Sequence, residues 1–383
     1  MNRKPVINSF QLAMLGAGSG LMFPYTFLPI VKGDYSNQDV WLIFIVSIFI
    51  TVLLTLPLLF LTNKMIGVPF YKRNEMLLGK AGGKVVSIIY ALFFLFCFTA
   101  CMLIATIYVK IYILEETPLF AIIIVILIPV TYASIKGAGT IGRLASFVIP
   151  YIMLTIVFFF LAGIEKMKFE SLLPILEDST IAGFSKGVFV TAARFSEMLI
   201  IAIFACYLKK KSSVNKAYAL GFTLFVVFFL LILVPVQVVL GSDIARLAHN
   251  PYYVYTRQTG GYEFIQRLQS LNILAWFSGT IIKLSIYSYM GTNLLSGTFK
   301  KIERKWMVVP FSVIGLIICE LPFMKKTSTI TMLASDDYFP YVIVSVILVI
   351  PLIMLILYLI RKKKINAMLE QIKASSEESN PAF

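Results

Sequence analysis

The chain has 383 residues, of which 59% are hydrophobic and 14% charged, and its mean hydropathy is +0.88. A soluble globular domain carries about 25% charged residues, so this composition excludes a soluble protein. The net charge of +15 does not indicate nucleic-acid binding. The basic residues cluster at the ends of apolar runs, where they set membrane topology and meet anionic lipid headgroups.

Ten apolar runs each have about the length that a helix needs to cross a bilayer. The predicted spans are 9–31, 40–62, 86–114, 118–135, 144–163, 186–208, 216–240, 263–297, 307–324 and 338–360. An even number of spans puts both termini on one side. That side then holds 22 of the 34 Lys and Arg residues and the other side holds 9. Basic residues mark cytoplasmic segments, so both termini are predicted to be cytoplasmic.

Three connecting or terminal segments are long enough to have a structure of their own. The inner loop 63–85 is expected to hold a short amphipathic helix along the membrane face. The outer loop 241–262 is rich in tyrosine and turn residues, and it is either a lid, a docking surface for a partner or an ordinary connection. Residues 1–364 are predicted to form the membrane domain, and the polar tail 365–383 is expected to be disordered.

Span 1 is interrupted by the sequence GAGSG, which places Gly16, Gly18 and Gly20 around Ser19. Each glycine costs a helix about 1 kcal/mol relative to alanine. Two interpretations remain open. Gly16-x-x-x-Gly20 fits close packing of small residues between helices. Alternatively, the helix unwinds there, and the freed backbone groups bind a ligand, as in membrane transporters.

Span 6 contains two charged and two hydroxyl side chains in the run Thr191-Ala-Ala-Arg-Phe-Ser-Glu197. A charge in the middle of a membrane costs at least about 2.5–3.5 kcal/mol, so it faces protein or water and has a role. Arg194 and Glu197 either pair with each other or line a cavity. Span 8 adds Lys283. This lysine carries charge or a proton in the cavity, extends its ammonium towards the membrane surface, or forms an ion pair, with Glu197 as a candidate partner.

Spans 1 and 6 occupy matching positions in two five-span halves, 9–163 and 186–360. Interrupted helices at matching positions are typical of inverted-repeat transporters with a site at the membrane midplane. The pattern therefore favours two unwound helices, 1 and 6, that face one cavity. Thr99 of span 3 is a candidate for lining this cavity, and Thr280, Ser285 and Tyr287 lie near Lys283.

The sequence offers little for an enzyme or a metal site. It contains no HExxH, GxSxG or paired-aspartate motif, and its one histidine, His249, lies in a loop. The four cysteines lie in apolar runs, where buried thiols are expected. We therefore expect no catalytic residues, no metal and no cofactor.

Several stretches, in this order and spacing, resemble the B subunits of spore germinant receptors, the GerAB-type spore permeases of the amino acid–polyamine–organocation superfamily. The resemblance rests on INSFQLAMLGAGSGLMFPY, EMLLGKAGGKVVSIIYALFFL, GAGTIGRLASFVIPYIML, RFSEMLIIAIFACYLKKKSSVNKAYALG and LAWFSGTIIKLSIYSY. It implies a LeuT-like fold of two inverted five-helix repeats with helices 1 and 6 unwound. It also implies the inner membrane of a bacterial spore, an amino acid or related nutrient as ligand, and as partners a receptor A subunit and a lipoprotein C subunit.

Carried onto this chain, the resemblance implies that the ligand carboxylate binds at the span 1 break and the amine at the span 6 break. The span 1 break comprises Gly16, Ala17, Gly18, Ser19 and Gly20, and the span 6 break comprises Ala192, Ala193, Arg194, Phe195 and Ser196. Thr280, Lys283 and Ser285 match the region of span 8 that faces the site. The alternative function is a proton-coupled amino acid transporter, with Lys283 or Glu197 as the proton carrier.

Overall fold

Helices account for most of the described chain in the computed structural model. The structure describes residues 6–26, 38–177, 179–194, 197, 199–209, 212–248, 250–259, 269–300, 302–324 and 339–378. The first half contains α1 (Ser9–Thr26), α2 (Val40–Lys64), α3 (Phe70–Tyr112), α4 (Leu119–Lys136) and α5 (Ala138–Gly163). Two short 3-10 turns, Ile164–Lys166 and Phe169–Leu172, follow α5.

The second half begins with α6, which is followed by a short helix and several longer ones. Its helices are α6 (Ile181–Arg194), α7 (Leu199–Phe204), α8 (Val214–Pro235), α9 (Gly241–Leu247), α10 (Pro251–Gln258), α11 (Gln269–Phe299), α12 (Arg304–Glu320), α13 (Phe339–Val344), α14 (Ile350–Ile360) and α15 (Lys362–Glu378). A 3-10 turn, Ala205–Tyr207, follows α7, and π-helical turns follow α8 and α13.

Seven helical segments among the described residues are long and apolar enough to cross a membrane. They are Val40–Lys64, Phe70–Tyr112, Leu119–Lys136, Ala138–Lys166, Ile181–Tyr207, Val214–Leu247 and Pro340–Ile360. They correspond to seven of the ten predicted spans. The other three predicted spans coincide with α1, α11 and α12, which are shorter or more polar. Their crossing of the membrane stays a prediction.

The predicted helix of loop 63–85 is present as the first part of α3. Gly79 has φ +80° and ψ 173° and separates residues 70–78 from the long apolar part of the helix. An L-residue with a side chain rarely adopts this backbone conformation, so a glycine suits the bend. On the far side of the bend, a Cβ atom at Gly83 would overlap the backbone of Glu75. The two parts of α3 therefore pack directly against each other.

The predicted unwinding of span 1 at Gly16–Gly20 is wrong for this structure, because α1 is helical from Ser9 to Thr26. The glycines allow close packing instead. A Cβ atom at Gly18 would overlap the Ile149 side chain of α5, and one at Gly20 would lie 2.7 Å from the Phe225 ring of α8. The small-residue packing interpretation explains these positions. The end of the predicted span, residues 27–31, lies outside the described residues.

The expectation that the tail is disordered from residue 365 is wrong up to Glu378, where α15 ends. Ile365 is 1% exposed and Leu369 is 9% exposed. Both belong to a small apolar cluster with side chains from the end of α2, the first part of α3 and α14. Burial of one face thus stabilises a helix that is otherwise strongly polar. Residues 379–383 lie outside the described residues.

The helix α11 lies at the centre of the bundle, in contact with α1, α3, α4, α5 and α12. Its interior positions are polar to an unusual degree for a membrane helix. The buried polar side chains of α11 are Asn272, Thr280, Lys283, Ser285, Ser288, Thr292, Asn293 and Thr298. Polar groups in such a helix face protein or a wet cavity rather than lipid, so α11 is placed to line a site.

Candidate functional site

A buried polar cluster joins spans 1, 6 and 8. The Lys283 ammonium on α11 lies 2.6 Å from the Glu197 Oε1 atom, and the lysine and glutamate side chains are 5% and 16% exposed. Lys283 also donates to the backbone carbonyl oxygen of Ser19 at 3.0 Å. The Ser19 hydroxyl donates to Glu197 Oε2, and the Tyr287 hydroxyl donates to Glu197 Oε1 at 3.0 Å. We call Ser19, Glu197, Lys283 and Tyr287 the polar cluster.

The positions of these residues follow from local structure. Lys283 and Tyr287 are four residues apart on α11 and so share one face of that helix, and the Lys283 ammonium lies 5.8 Å from the centre of the Tyr287 ring. Glu197 has 3-10 geometry between α6 and α7. Ser19 can meet them because Gly18 and Gly20 let α1 approach its neighbours closely.

The ion pair between Glu197 and Lys283 was one of the interpretations open from the sequence, and the structure confirms it. Tyr287 lies near Lys283 in the sequence but was not chosen as a site residue. Its signal in the sequence was its spacing of four residues from Lys283. Because Tyr287 lies one helical turn from Lys283, its hydroxyl can donate to Glu197, the carboxylate that pairs with Lys283.

The other predicted residues of span 6 are only partly described. Ala193 and Arg194 are buried at the end of α6, with Arg194 7% exposed. The Ala192 carbonyl accepts a long hydrogen bond of 3.4 Å from the Thr51 hydroxyl. Phe195 and Ser196 lie outside the described residues. Unwinding of span 6 therefore stays a prediction, with α6 ending at Arg194 and α7 beginning at Leu199.

Three further predicted site residues do not join the polar cluster. The hydroxyl groups of Thr99, Thr280 and Ser285 donate to carbonyls of their own helices at 2.7–3.0 Å. The Ser285 carbonyl accepts a hydrogen bond from Ser134 of α4 at 3.2 Å, so the surroundings of Ser285 include α4. The roles predicted for these three residues as ligand contacts stay predictions.

Gly16 and Ala17 are buried within α1. Because α1 is helical there, their amides lie within the helix and are not exposed as a broken segment would expose them. Ser19 of α1 joins the polar cluster through its hydroxyl, which donates to Glu197, and its carbonyl, which accepts from Lys283. Within the described part of span 1, Ser19 thus contributes its side chain and carbonyl to this cluster, and no row of backbone amides does.

The N-terminal face of the bundle, where residues 6–9 lie, is closed by contacts between the segments that flank spans 1 and 6. Ile7 forms a parallel β-bridge with Leu208, and the Ile7 amide donates to the Tyr207 carbonyl at 3.1 Å. Ser9 and Ser213 exchange two hydrogen bonds, of 2.8 and 3.2 Å. These contacts join the segments that flank spans 1 and 6.

The opposite face is covered by α10, which lies in the predicted outer loop. Tyr253 of α10 packs against Tyr112 with ring centroids 4.7 Å apart, and Tyr108 packs against Trp276 at 4.1 Å. Tyr255 is fully buried. The role of this loop as a lid, a docking surface or an ordinary connection stays a prediction.

The polar cluster combines one negative and one positive side chain with hydrogen-bond donors and acceptors. Among the described residues, the Glu197 carboxylate has three donors and the Lys283 ammonium has two acceptors. The two charges form a neutral pair, and a buried ion pair needs such additional hydrogen bonds to offset its desolvation. Within the described ranges no group of three or more His, Cys, Asp or Glu side chains could hold a metal ion. His249 lies outside those ranges.

Comparison with solved structures defines the class of protein. MhsT in complex with L-phenylalanine matches 93% of this chain and 99% of its own with a TM-score of 0.63 and 13% identity. Mhp1, a nucleobase-cation-symport-1 family transporter in a closed conformation with bromovinylhydantoin bound, matches 90% of this chain and 80% of its own with a TM-score of 0.60 and 16% identity. The chain is an integral membrane protein with the LeuT fold of these transporters.

Sequence comparison then gives the family. The chain matches the family model of spore germination proteins, the spore permeases, over residues 7–328 and belongs to that family. Spore germination protein XB of Bacillus anthracis is 23% identical to it over 339 residues, which cover 83% of this chain and 88% of the relative. The protein is therefore a germinant-sensing or transport protein of the membrane and not an enzyme.

Proposed function

We propose that this chain is the nutrient-sensing membrane subunit of a spore germination receptor, and that it binds an amino acid or a related nutrient near the membrane midplane. The observation that carries this proposal is the polar cluster. An ion pair enclosed by spans 1, 6 and 8 has the charges that an ammonium and a carboxylate group require. It lies between two faces of the bundle. The contact between Ile7 and Leu208 is at one face, and the packing of α10 is at the other.

Sensing follows from this geometry if the ligand stabilises one arrangement of the bundle over another. A ligand shifts a conformational equilibrium only through its different affinities for the two states. Two sets of contacts differ between such states: the β-bridge between Ile7 and Leu208 and the packing of α10. Rearrangement of either set carries the signal from the polar cluster to a surface of the bundle.

The partners and the location belong to the same proposal. We propose that the chain lies in the inner membrane of the spore with both termini in the cytoplasm, where 22 of its 34 basic residues meet anionic lipid headgroups. A receptor A subunit and a lipoprotein C subunit receive the signal. The family membership and the similarity to spore germination protein XB support this assembly.

A second candidate function is a proton-coupled amino acid transporter. Two observations favour it: the fold of known transporters, and a buried acid and base in direct contact, Glu197 and Lys283. A proton that moves between these two groups neutralises both charges, so protonation and ligand binding would be coupled. In this mechanism the polar cluster opens alternately to the two faces.

The test combines binding and flux in one preparation. The purified chain is placed in liposomes and supplied with a panel of radiolabelled L-amino acids. Saturable binding without accumulation supports the sensor, and accumulation driven by a pH gradient supports the transporter. If the liposomes show neither binding nor accumulation, the result contradicts a ligand site formed by this chain alone.

A matched pair of lysine substitutions assigns the binding to the polar cluster. Lys283→Met is expected to weaken amino acid binding at least tenfold. Lys110→Met is the control, because the Lys110 ammonium at the end of α3 donates to the carbonyls of Glu115 and Thr117 at 2.7 and 3.2 Å. Equal losses in both variants contradict the proposed site.

A further inference from the structure

We infer that the Glu197–Lys283 ion pair is an internal substitute for a zwitterionic ligand, and that these two side chains determine the charge selectivity of the site. The inference rests on the proposed function, because it takes the polar cluster as the ligand site. It adds a mechanism. The ligand inserts between the two side chains, so that its ammonium pairs with Glu197 and its carboxylate pairs with Lys283.

The hydrogen bonds of the cluster match those that a bound amino acid needs. The Glu197 carboxylate accepts from the Ser19 hydroxyl, Lys283 and Tyr287. When the ligand ammonium replaces that of Lys283, Glu197 keeps its two hydroxyl donors. The Lys283 ammonium, which donates to Glu197 and to the Ser19 carbonyl, keeps the carbonyl and gains the ligand carboxylate. Each charged group exchanges one oppositely charged partner for another.

Charge balance makes the selectivity strong. The polar cluster is neutral as a whole, and a zwitterion leaves every charge in it paired. An amine without a carboxylate pairs with Glu197 but leaves the buried Lys283 ammonium without the Glu197 carboxylate. A carboxylic acid without an amine leaves Glu197 without a cation. Leaving one buried charge unpaired is strongly unfavourable, so ligands with a single charge should bind far more weakly than the amino acid.

The same argument predicts opposite effects for the two single substitutions. Lys283→Met removes the resident cation, so an amine can take its place beside Glu197. Glu197→Gln removes the resident anion, so a carboxylate can pair with Lys283. The first variant should therefore prefer the amine and the second the carboxylic acid. A merely structural role for the pair predicts no such reversal, because both variants would then lose affinity for all ligands together.

The test uses ligand triads that share one side chain. Suitable triads are L-leucine with isopentylamine and 4-methylpentanoate, L-phenylalanine with 2-phenylethylamine and 3-phenylpropanoate, and L-alanine with ethylamine and propanoate. Binding of each compound to the purified full-length chain in liposomes is measured by displacement of the radiolabelled amino acid for the wild type and directly for the variants. Wild type should bind the amino acid at least tenfold more tightly than either analogue.

The variants then decide between the possible results. Lys283→Met should bind the amine, and Glu197→Gln the carboxylic acid, at least tenfold more tightly than each binds the amino acid. The charge exchange Glu197→Lys/Lys283→Glu keeps a neutral pair. It is a second test of the inference if a single variant does not fold. It should again prefer the zwitterion.

Two outcomes overturn the inference in distinguishable ways. If wild type binds the amino acid but does not discriminate against the analogues, or the variants show no reversal, the inference fails and the proposed function stands. If wild type binds no compound of any triad, the inference fails together with the ligand site. Because the readout is binding and not germination, a failure in signalling to partner subunits does not affect the result.

Discussion

The hydroxyl of Tyr255 donates a hydrogen bond of 2.7 Å to the backbone carbonyl oxygen of Phe159, and this bond fastens α10 to α5. Both side chains are fully buried. Burial raises the pKa of Tyr255 above its usual value, so the phenol stays protonated and remains a donor. One turn further along α5, a Cβ atom at Gly163 would overlap the Tyr255 hydroxyl. The position of α10 against α5 therefore depends on the hydrogen bond from Tyr255 to Phe159 and on the lack of a side chain at Gly163.

We predict that Tyr255→Phe and Gly163→Ala both loosen α10. Tyr255→Phe should lower the free energy of unfolding by about 1 kcal/mol, the net contribution of one hydrogen bond. Both variants should increase the rate at which a radiolabelled ligand dissociates, because the lid opens more often. Tyr132→Phe is the control, since Tyr132 is 62% exposed. Dissociation rates equal to that of wild type in both variants would show that α10 is not a lid.

The packing of α1 gives a second prediction, which separates the two interpretations of its glycines. Gly18→Ala should lower the melting temperature, because the new methyl group overlaps the Ile149 side chain. Ile149→Val in the same chain should restore part of the loss, since it shortens the side chain that the methyl meets. Thermal unfolding in detergent measures both effects. If Ile149→Val does not raise the melting temperature of Gly18→Ala, overlap with the Ile149 side chain is not the cause of the lost stability.

The terminal helix gives a third prediction. Ile365→Asp should destabilise the protein by about 2 kcal/mol or more, because it places a charge in the apolar cluster that Ile365 shares with Leu61 and Leu77. Ala367→Asp is the matched control on the exposed face of α15. Limited proteolysis, followed by mass spectrometry, should cleave the Ile365→Asp chain within α15 and leave Ala367→Asp intact. Equal protection of the two variants would contradict the docking of α15.

The sequence predicts those features that depend on neighbouring residues. Apolar runs of membrane length identify seven helical segments of the structure, because the hydrophobic requirement acts on each span separately. The pair of Glu197 and Lys283 could also be anticipated, since two opposite charges in apolar spans each need a partner. Tyr287 follows from helical periodicity once Lys283 is chosen.

The wrong predictions concern features that depend on residues far along the chain. Whether GAGSG unwinds or packs is decided by Ile149 and Phe225, which lie on other helices, and a single sequence does not show that they meet α1. The tail from residue 365 has the polar composition of a disordered segment, but Ile365 and Leu369 find an apolar surface built from α2, α3 and α14. Tertiary contacts override local composition in both cases.

A buried arginine provides the last prediction, and it concerns the N-terminal half of α3. Arg73 is 4% exposed. Its guanidinium donates to the Val68 carbonyl at 2.8 Å, to the Thr62 hydroxyl at 3.3 Å and to the Ala202 carbonyl of α7 at 3.2 Å. It thus ties α7, the continuation of span 6 beyond Glu197, to α2 and to the first part of α3.

Arg73→Gln should release α7 and expose the segment that follows it. Cys206 lies there and is 4% exposed, so it reports the change in a chain whose other three cysteines are replaced by alanine. We expect maleimide to label Cys206 several-fold faster in Arg73→Gln than in the parent chain, with an intermediate rate in Arg73→Lys, which keeps the charge but not the planar set of donors. Lys72→Gln removes a neighbouring charge and should leave the rate unchanged. If Lys72→Gln accelerates labelling as much as Arg73→Gln, general loss of positive charge explains the effect, and the hydrogen bonds of Arg73 do not hold α7.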